Sequence, residues 1–120
     1  VDGQTHGAIA QGVGQAMWEQ CYTDPDSGQP LCGSLRDYGM PRADGLPSFV
    51  TEIAEVLSPT NPLGIKAGGE GGTTAAPAVI ISAIVDALSA YDVRNINMPA
   101  TAATIWKTIQ DAKRGATASR

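Results

Sequence analysis

Glu70 stands between two glycine pairs, Gly68-Gly69-Glu70-Gly71-Gly72, and five of the fourteen glycines fall between residues 64 and 72. Glycines open backbone angles closed to other residues, let main chain approach a ligand, and clear bulk from around a lone carboxylate. A helix is expected to follow, and the N–H groups of its first turn favour negative charge nearby. The pattern presents one acid in an otherwise bare cavity wall. A solvated glutamate on a flexible surface loop is the alternative that the local sequence leaves open.

Other candidate chemistry is weaker. No Gly-Lys-Ser/Thr follows the glycines and Lys66 precedes them, so the loop is not a phosphate-binding P-loop. Gly12-Val13-Gly14-Gln15-Ala16-Met17 lacks a third glycine and falls inside an expected helix, which excludes a dinucleotide fingerprint. Cys21 and Cys32 lack CxxC spacing, and the single histidine, His6, cannot complete a zinc cluster from this chain. A disulfide closing the intervening turn is geometrically open; two reduced, partly buried thiols are the expectation. His6 reads as an ordinary helix-start histidine.

The elements that must position these residues follow from periodicity. Residues 4–20 predict a helix, with Ile9, Val13, Ala16 and Met17 forming an apolar stripe. Gly7, Ala10 and Gly14 make a second, bulk-free line that packs closely on another backbone or faces a ligand. Asp24-Pro25-Asp26-Ser27-Gly28 is a turn by its chemistry. Extended stretches near 30–38 and over 49–57 are expected to pair as antiparallel strands, with Pro41 and Pro47 marking the connection. After the glycine-rich loop of residues 58–72, Thr73 or Thr74 is expected to cap a helix running to about Ser89, with Pro77 in its first turn. Its apolar residues wrap most of the circumference, which predicts burial on several sides. A last helix starts at the Thr101 N-cap, and residues 115–120 read as a frayed tail. The fold class expected is α+β: an N-terminal helix, short antiparallel strands, the glycine-rich loop, then two helices.

One domain at most fits 120 residues, and a compact chain of this size buries roughly two-thirds of its unfolded surface. With 42% apolar residues and a net charge of −4, disorder is not expected. Eight basic against twelve acidic residues leave no electrostatic footprint for nucleic acid or an anionic membrane. No apolar run approaches the roughly 18–20 residues of a membrane span. The first residues carry no targeting pattern, and two reduced thiols lead to the expectation of a cytoplasmic protein.

Five segments in order resemble one family. They are Asp2-Gly3-Gln4-Thr5-His6-Gly7-Ala8-Ile9-Ala10-Gln11-Gly12-Val13-Gly14, Asp37-Tyr38-Gly39-Met40-Pro41-Arg42-Ala43, Ser58-Pro59-Thr60-Asn61-Pro62-Leu63-Gly64, Lys66-Ala67-Gly68-Gly69-Glu70, and Arg94-Asn95-Ile96-Asn97-Met98-Pro99-Ala100-Thr101 with Ile105-Trp106. Together they resemble the C-terminal part of the molybdenum-binding large subunit of the molybdenum hydroxylases, the xanthine dehydrogenase, carbon monoxide dehydrogenase and aldehyde oxidoreductase family. The resemblance implies an enzyme that hydroxylates an aromatic heterocycle or aldehyde with oxygen from water. It further implies a molybdopterin cofactor, expected as the cytosine dinucleotide, with FAD and 2Fe-2S clusters on partner subunits or domains. By position, Glu70 matches the family's catalytic base. Gly3 and Gln4 match a pair whose amide contacts the pterin, and Lys66, Ala67, Gly68 and Gly69 belong to the same active-site loop. No residue here is expected to ligate the metal directly, since the pterin holds it.

The departures are Gly-Gly before Glu70, where relatives often show Val-Gly or Ala-Gly, and Gly71 after it. Residues 1–120 are expected to be a fragment of the molybdopterin-binding domain. Its implied partners are the remainder of the large subunit, an iron–sulfur small subunit, an FAD medium subunit and a small-molecule substrate. Alone it is expected to be inactive and prone to self-association through its apolar helix. The competing reading is a non-catalytic interaction or split-subunit module that assembles with a separate molybdenum subunit.

Overall fold

The helix expected at the N-terminus forms as α1, Asp2–Met17, in a computed structural model that describes residues 1–118. Its glycines are sorted by what they face. Gly14 is buried, and a Cβ there would stand 2.6 Å from Pro41 Cγ and 2.7 Å from a Glu19 carboxylate oxygen. Gly7 has open space beside it. The bulk-free line therefore divides, one end serving close packing and the other facing a cavity.

After α1 the Asp24–Gly28 turn forms as its residues dictate. Gly28 takes φ +70°, the Gly28 N–H donates to the Asp24 carbonyl at 2.8 Å, and the Ser27 hydroxyl donates to the Asp24 carboxylate. A single bridge between Thr23 and Pro30 closes the hairpin, flanked by bonds from Asp24 N to Gln29 O and from Leu31 N to Tyr22 O. This is the one ladder contact among the described residues. The strands expected at 30–38 and 49–57 do not pair, and the class is mostly helical rather than α+β.

The reason is visible in residues 49–57. Phe49 packs edge-on against His6 at 5.6 Å between centroids, and the Thr51 hydroxyl donates to Asp2 at 3.0 Å, while Val50 between them is 94% exposed. The alternation holds over residues 49–51, where the covered face lies against α1, while residues 52–57 are all exposed. No second strand is offered to its backbone groups, and a ladder needs one.

The second helix, α2, spans Gly71–Ala87 and opens two residues before the expected cap. Glu70 occupies the N-cap position, and its carbonyl accepts the Thr74 N–H at 3.0 Å. Neither threonine caps: the Thr74 hydroxyl also donates to the Glu70 carbonyl at 3.0 Å, and that of Thr73 donates across to Ala8 at 3.0 Å. Pro77 consequently lies beyond the first turn. The expected burial on several sides is not met, because Ala76 alone in α2 is fully buried and Val79 is 64% exposed.

The third helix, α3, spans Ala102–Ala118. Thr101 caps it as expected, its hydroxyl accepting the Thr104 N–H at 3.2 Å. The backbone of 115–118 continues this helix where a frayed tail was expected, and residues 119 and 120 lie outside the described residues. The buried core is small-sided: Ala8, Ala16, Ala76, Leu88, Val93, Ile96 and Ala100. The Ala100 N–H donates to Ala16 at 2.7 Å, tying the approach to α3 onto α1.

Candidate active site

The site is set by how closely α1 and α2 cross. A Cβ on Gly72 would lie 3.0 Å from Ala8 Cβ and 3.2 Å from both Ile9 N and Thr5 O. One helical turn on, a Cβ on Gly12 would lie 2.5 Å from Ala76 Cβ and 3.1 Å from Pro77 Cδ. Each helix thus contributes one glycine to the crossing, and neither tolerates a side chain there without movement. Gly12 was not among the residues singled out from sequence; its fourfold spacing from Ala8, matched by Gly72 and Ala76, is the signal that would have found it.

This contact lays the start of α2, and the loop ahead of it, along one face of α1. A cavity of about 380 Å³ opens between them, lined by Gly3, Gln4, Gly7, Ala8, Gln11 and Gln15 of α1 with Gly69, Glu70 and Thr73 opposite. Positions 4, 7, 8, 11 and 15 recur at helical spacing, so one polar stripe of α1 forms the floor. Three amides from that stripe offer donors and acceptors, and Glu70 is exposed to the same space. Gln4 reaches the loop directly: its Nε2 donates to the Gly69 carbonyl at 3.0 Å.

Of the residues expected at the site, Gly3, Gln4, Gly69 and Glu70 line this one cavity. Lys66, Ala67 and Gly68 are exposed and do not line it, and Lys66 forms no ion pair among the described residues. Gln11, Gln15 and Thr73 were missed, although their i+7, i+11 and N-terminal-turn placement relative to Gln4 and Glu70 is readable once the faces are drawn. His6 lies outside the cavity; it is half-buried against Phe49, and its Nε2 is buried without a hydrogen bond.

A larger cavity of about 620 Å³ lies on the opposite stripe of α1, lined by Ile9, Val13 and Met17 together with Leu46, Phe49 and Ile80 among others. It carries no acid, base or amide. The groups able to donate or accept hydrogen bonds or protons line the other, amide-lined cavity. Among the described residues no group of three or more His, Cys, Asp or Glu side chains could hold a metal ion. No helix of the described chain is long and apolar enough to cross a membrane.

Comparison with known proteins points the same way. The family described as "Molybdopterin cofactor-binding domain" matches residues 1–47. The gamma subunit of the 6-hydroxypseudooxynicotine dehydrogenase complex of Paenarthrobacter nicotinovorans is 43% identical over 90% of this chain and 14% of its own. The carbon monoxide dehydrogenase large chain of Hydrogenophaga pseudoflava is 31% identical over 92% of this chain and 14% of its own. In three dimensions the chain superposes on quinoline 2-oxidoreductase from Pseudomonas putida 86 with a TM-score of 0.84. That match has 37% identity and covers 91% of this chain and 14% of the other. The chain therefore spans about one-seventh of the length of these relatives.

Proposed function

The chain belongs to the molybdenum hydroxylase family, and on that premise we propose that it supplies the catalytic base, Glu70, and part of the molybdopterin pocket. The reaction is hydroxylation of an aromatic heterocycle or aldehyde with oxygen from water. The observation that carries this reading is that Gln4 and Glu70 share one amide-lined cavity, with Gln4 hydrogen-bonded to the residue before Glu70.

The residues present suit a pterin. Gln4 spends its Nε2 on Gly69, which leaves its Oε1 to accept from a heterocycle edge, and the Gln11 and Gln15 amides extend the same surface. Positions 3 and 7 have open space where a side chain would stand, so a planar group can lie against the α1 backbone. When bound, the molybdenum cofactor supplies the electron-accepting centre and acidifies water-derived oxygen. Glu70 would take up the proton released there, a role that needs hydrogen-bond reach and an unobstructed carboxylate. Gly68, Gly69 and Gly71, each with open space where a Cβ would stand, keep the surroundings clear, while Gly72 serves the helix crossing. Lys66, Ala67 and Gly68, outside the cavity in this chain, contribute through the loop backbone.

The cofactor is the cytosine dinucleotide form, and electrons leave through 2Fe-2S and FAD groups on partner subunits or domains of a cytoplasmic enzyme. The remainder of the large subunit completes the pocket and selects the substrate. The 120-residue chain alone holds no cofactor and turns nothing over. The apolar surface it leaves uncovered fits cover by further polypeptide, whether continuous with this chain or, in the split-subunit reading, a separate molybdenum subunit.

The test is Glu70→Gln in the assembled molybdenum enzyme, which keeps shape and removes the base. Turnover per molybdenum should fall by about 10²–10⁴-fold with molybdenum content unchanged. Near-normal turnover would remove Glu70 from the reaction. Metal analysis of the purified 120-residue chain separates the remaining possibilities: stoichiometric molybdenum there would mean that the pocket is complete without further polypeptide.

A further inference from the structure

We infer that Thr73 is a positioning residue that aims Glu70, a role that rests on the reading of Glu70 as the base. The Glu70 carboxylate has no hydrogen-bond partner among the described residues, so its direction is set by the backbone that carries it. That backbone is held by a closed circuit. Gln4 of α1 donates to the Gly69 carbonyl at 3.0 Å. The Glu70 carbonyl accepts both the N–H and the hydroxyl of Thr74 at 3.0 Å, fastening it to α2. Thr73 then returns the circuit to α1, its hydroxyl donating to the Ala8 carbonyl at 3.0 Å with Gln11 Oε1 at 3.5 Å.

A threonine in the first turn of a helix ordinarily offers its hydroxyl to its own backbone. Thr73 instead spans the helix crossing, one turn of α1 beyond Gln4. The contact beside it, Gly72 against Ala8, sets how near the two helices come, but packing alone leaves sliding and rotation open. A directed hydrogen bond removes that freedom, because its energy falls steeply with angle. Thr73 also lines the cavity, so the group that fixes the crossing lies within one turn of the acid.

The experiment compares Thr73→Val, Thr73→Ser and Glu70→Gln in the assembled molybdenum enzyme, with rates taken per bound molybdenum. A misplacement of about 1 Å costs up to about 10²-fold in rate. Thr73→Val, which keeps the branched shape and loses the donor, should lower kcat by about 10-fold or more with KM changed less than about 2-fold. Thr73→Ser should restore kcat. Amide hydrogen exchange of residues 74–76, the first hydrogen-bonded amides of α2, should speed up in the valine variant and return to normal in the serine variant. If Thr73→Val has wild-type kcat per molybdenum and unchanged exchange while Glu70→Gln is inactive, the positioning role is wrong and the base reading stands. If Glu70→Gln remains active, the base reading itself fails. Should Thr73→Val not load cofactor, exchange over 74–76 still decides, and protection equal to that of Thr73→Ser overturns the inference.

Discussion

Cys21 and Cys32 face each other across the hairpin, because the Thr23–Pro30 bridge and the Leu31-to-Tyr22 bond fix a register that sets 21 opposite 32. Both are free thiols; Cys21 is exposed and Cys32 half-buried, with its sulfur accepting the Tyr22 N–H at 3.3 Å. Charge on Cys32 raises the Cys21 thiol above its ordinary range, and partial desolvation, a hydrogen bond to Cys32 and the charge of Glu19 act in the same direction. A raised value means less thiolate at any given pH, and the thiolate is the reactive form. Iodoacetamide should therefore modify Cys21 only at higher pH than an unperturbed cysteine. Cys32→Ala should move that pH dependence downward, read by mass spectrometry of the modified peptide. An unmoved profile would mean that the two sulfurs do not interact.

At the scale of elements, the crossing of α1 and α2 makes opposite predictions for two glycines of one helix. Replacing glycine by alanine inside a helix gains about 1 kcal/mol from propensity. Gly7 has open space beside it, so Gly7→Ala should raise stability by up to about that amount. Gly12→Ala would drive a methyl to 2.5 Å from Ala76 Cβ, and overpacking of this kind costs about 1–3 kcal/mol. Urea unfolding midpoints should move in opposite directions, and equal shifts would contradict the close crossing. This asymmetry also marks what could be read from the residues alone. The three helices, the Asp24–Gly28 turn and the Thr101 cap follow from local chemistry and spacing, and all are present; that Gln4 and Glu70 line one cavity is implied only by the family resemblance. The strands were misread because Phe49 and Thr51 alternate with exposed Val50 against a helix, and alternation does not say whether a helix or a sheet covers the face. The caps of α2 were misread because Thr73 and Thr74 have better partners in Ala8 and Glu70, and a partner 65 residues away leaves no local signature.

The whole molecule is far from closed. Its accessible surface is 9070 Å², against about 6,100 Å² for a compact monomer of 12.3 kDa. Its radius of gyration is 18.9 Å, where a compact domain of this length has about 14 Å. The surplus is apolar in good part: Val50, Leu63 and Leu57 are 94%, 77% and 72% exposed. Composition predicts a core large enough for a self-contained domain, and the chain does not build one, because its apolar residues face outward from three helices and a long extended segment. Bare patches of this size seek cover. Sedimentation of the isolated chain should show a mass that rises with concentration, reversed by mild non-ionic detergent. A clean monomer at high concentration would show that these side chains are tolerated in water.

The glycine pair at the crossing, Gly12 and Gly72, has a consequence for how such a site can change. Because the acid is carried on the first residues of one rod and tied to its neighbour, the gap between the rods and the reach of the carboxylate are a single mechanical variable. Room for a bulkier molecule cannot be won by prising the two apart without also swinging the Glu70 carboxylate away from the amide-lined floor. Diversification of what is bound must then come from walls contributed elsewhere, leaving this hinge-free corner as the fixed reference against which they are redrawn.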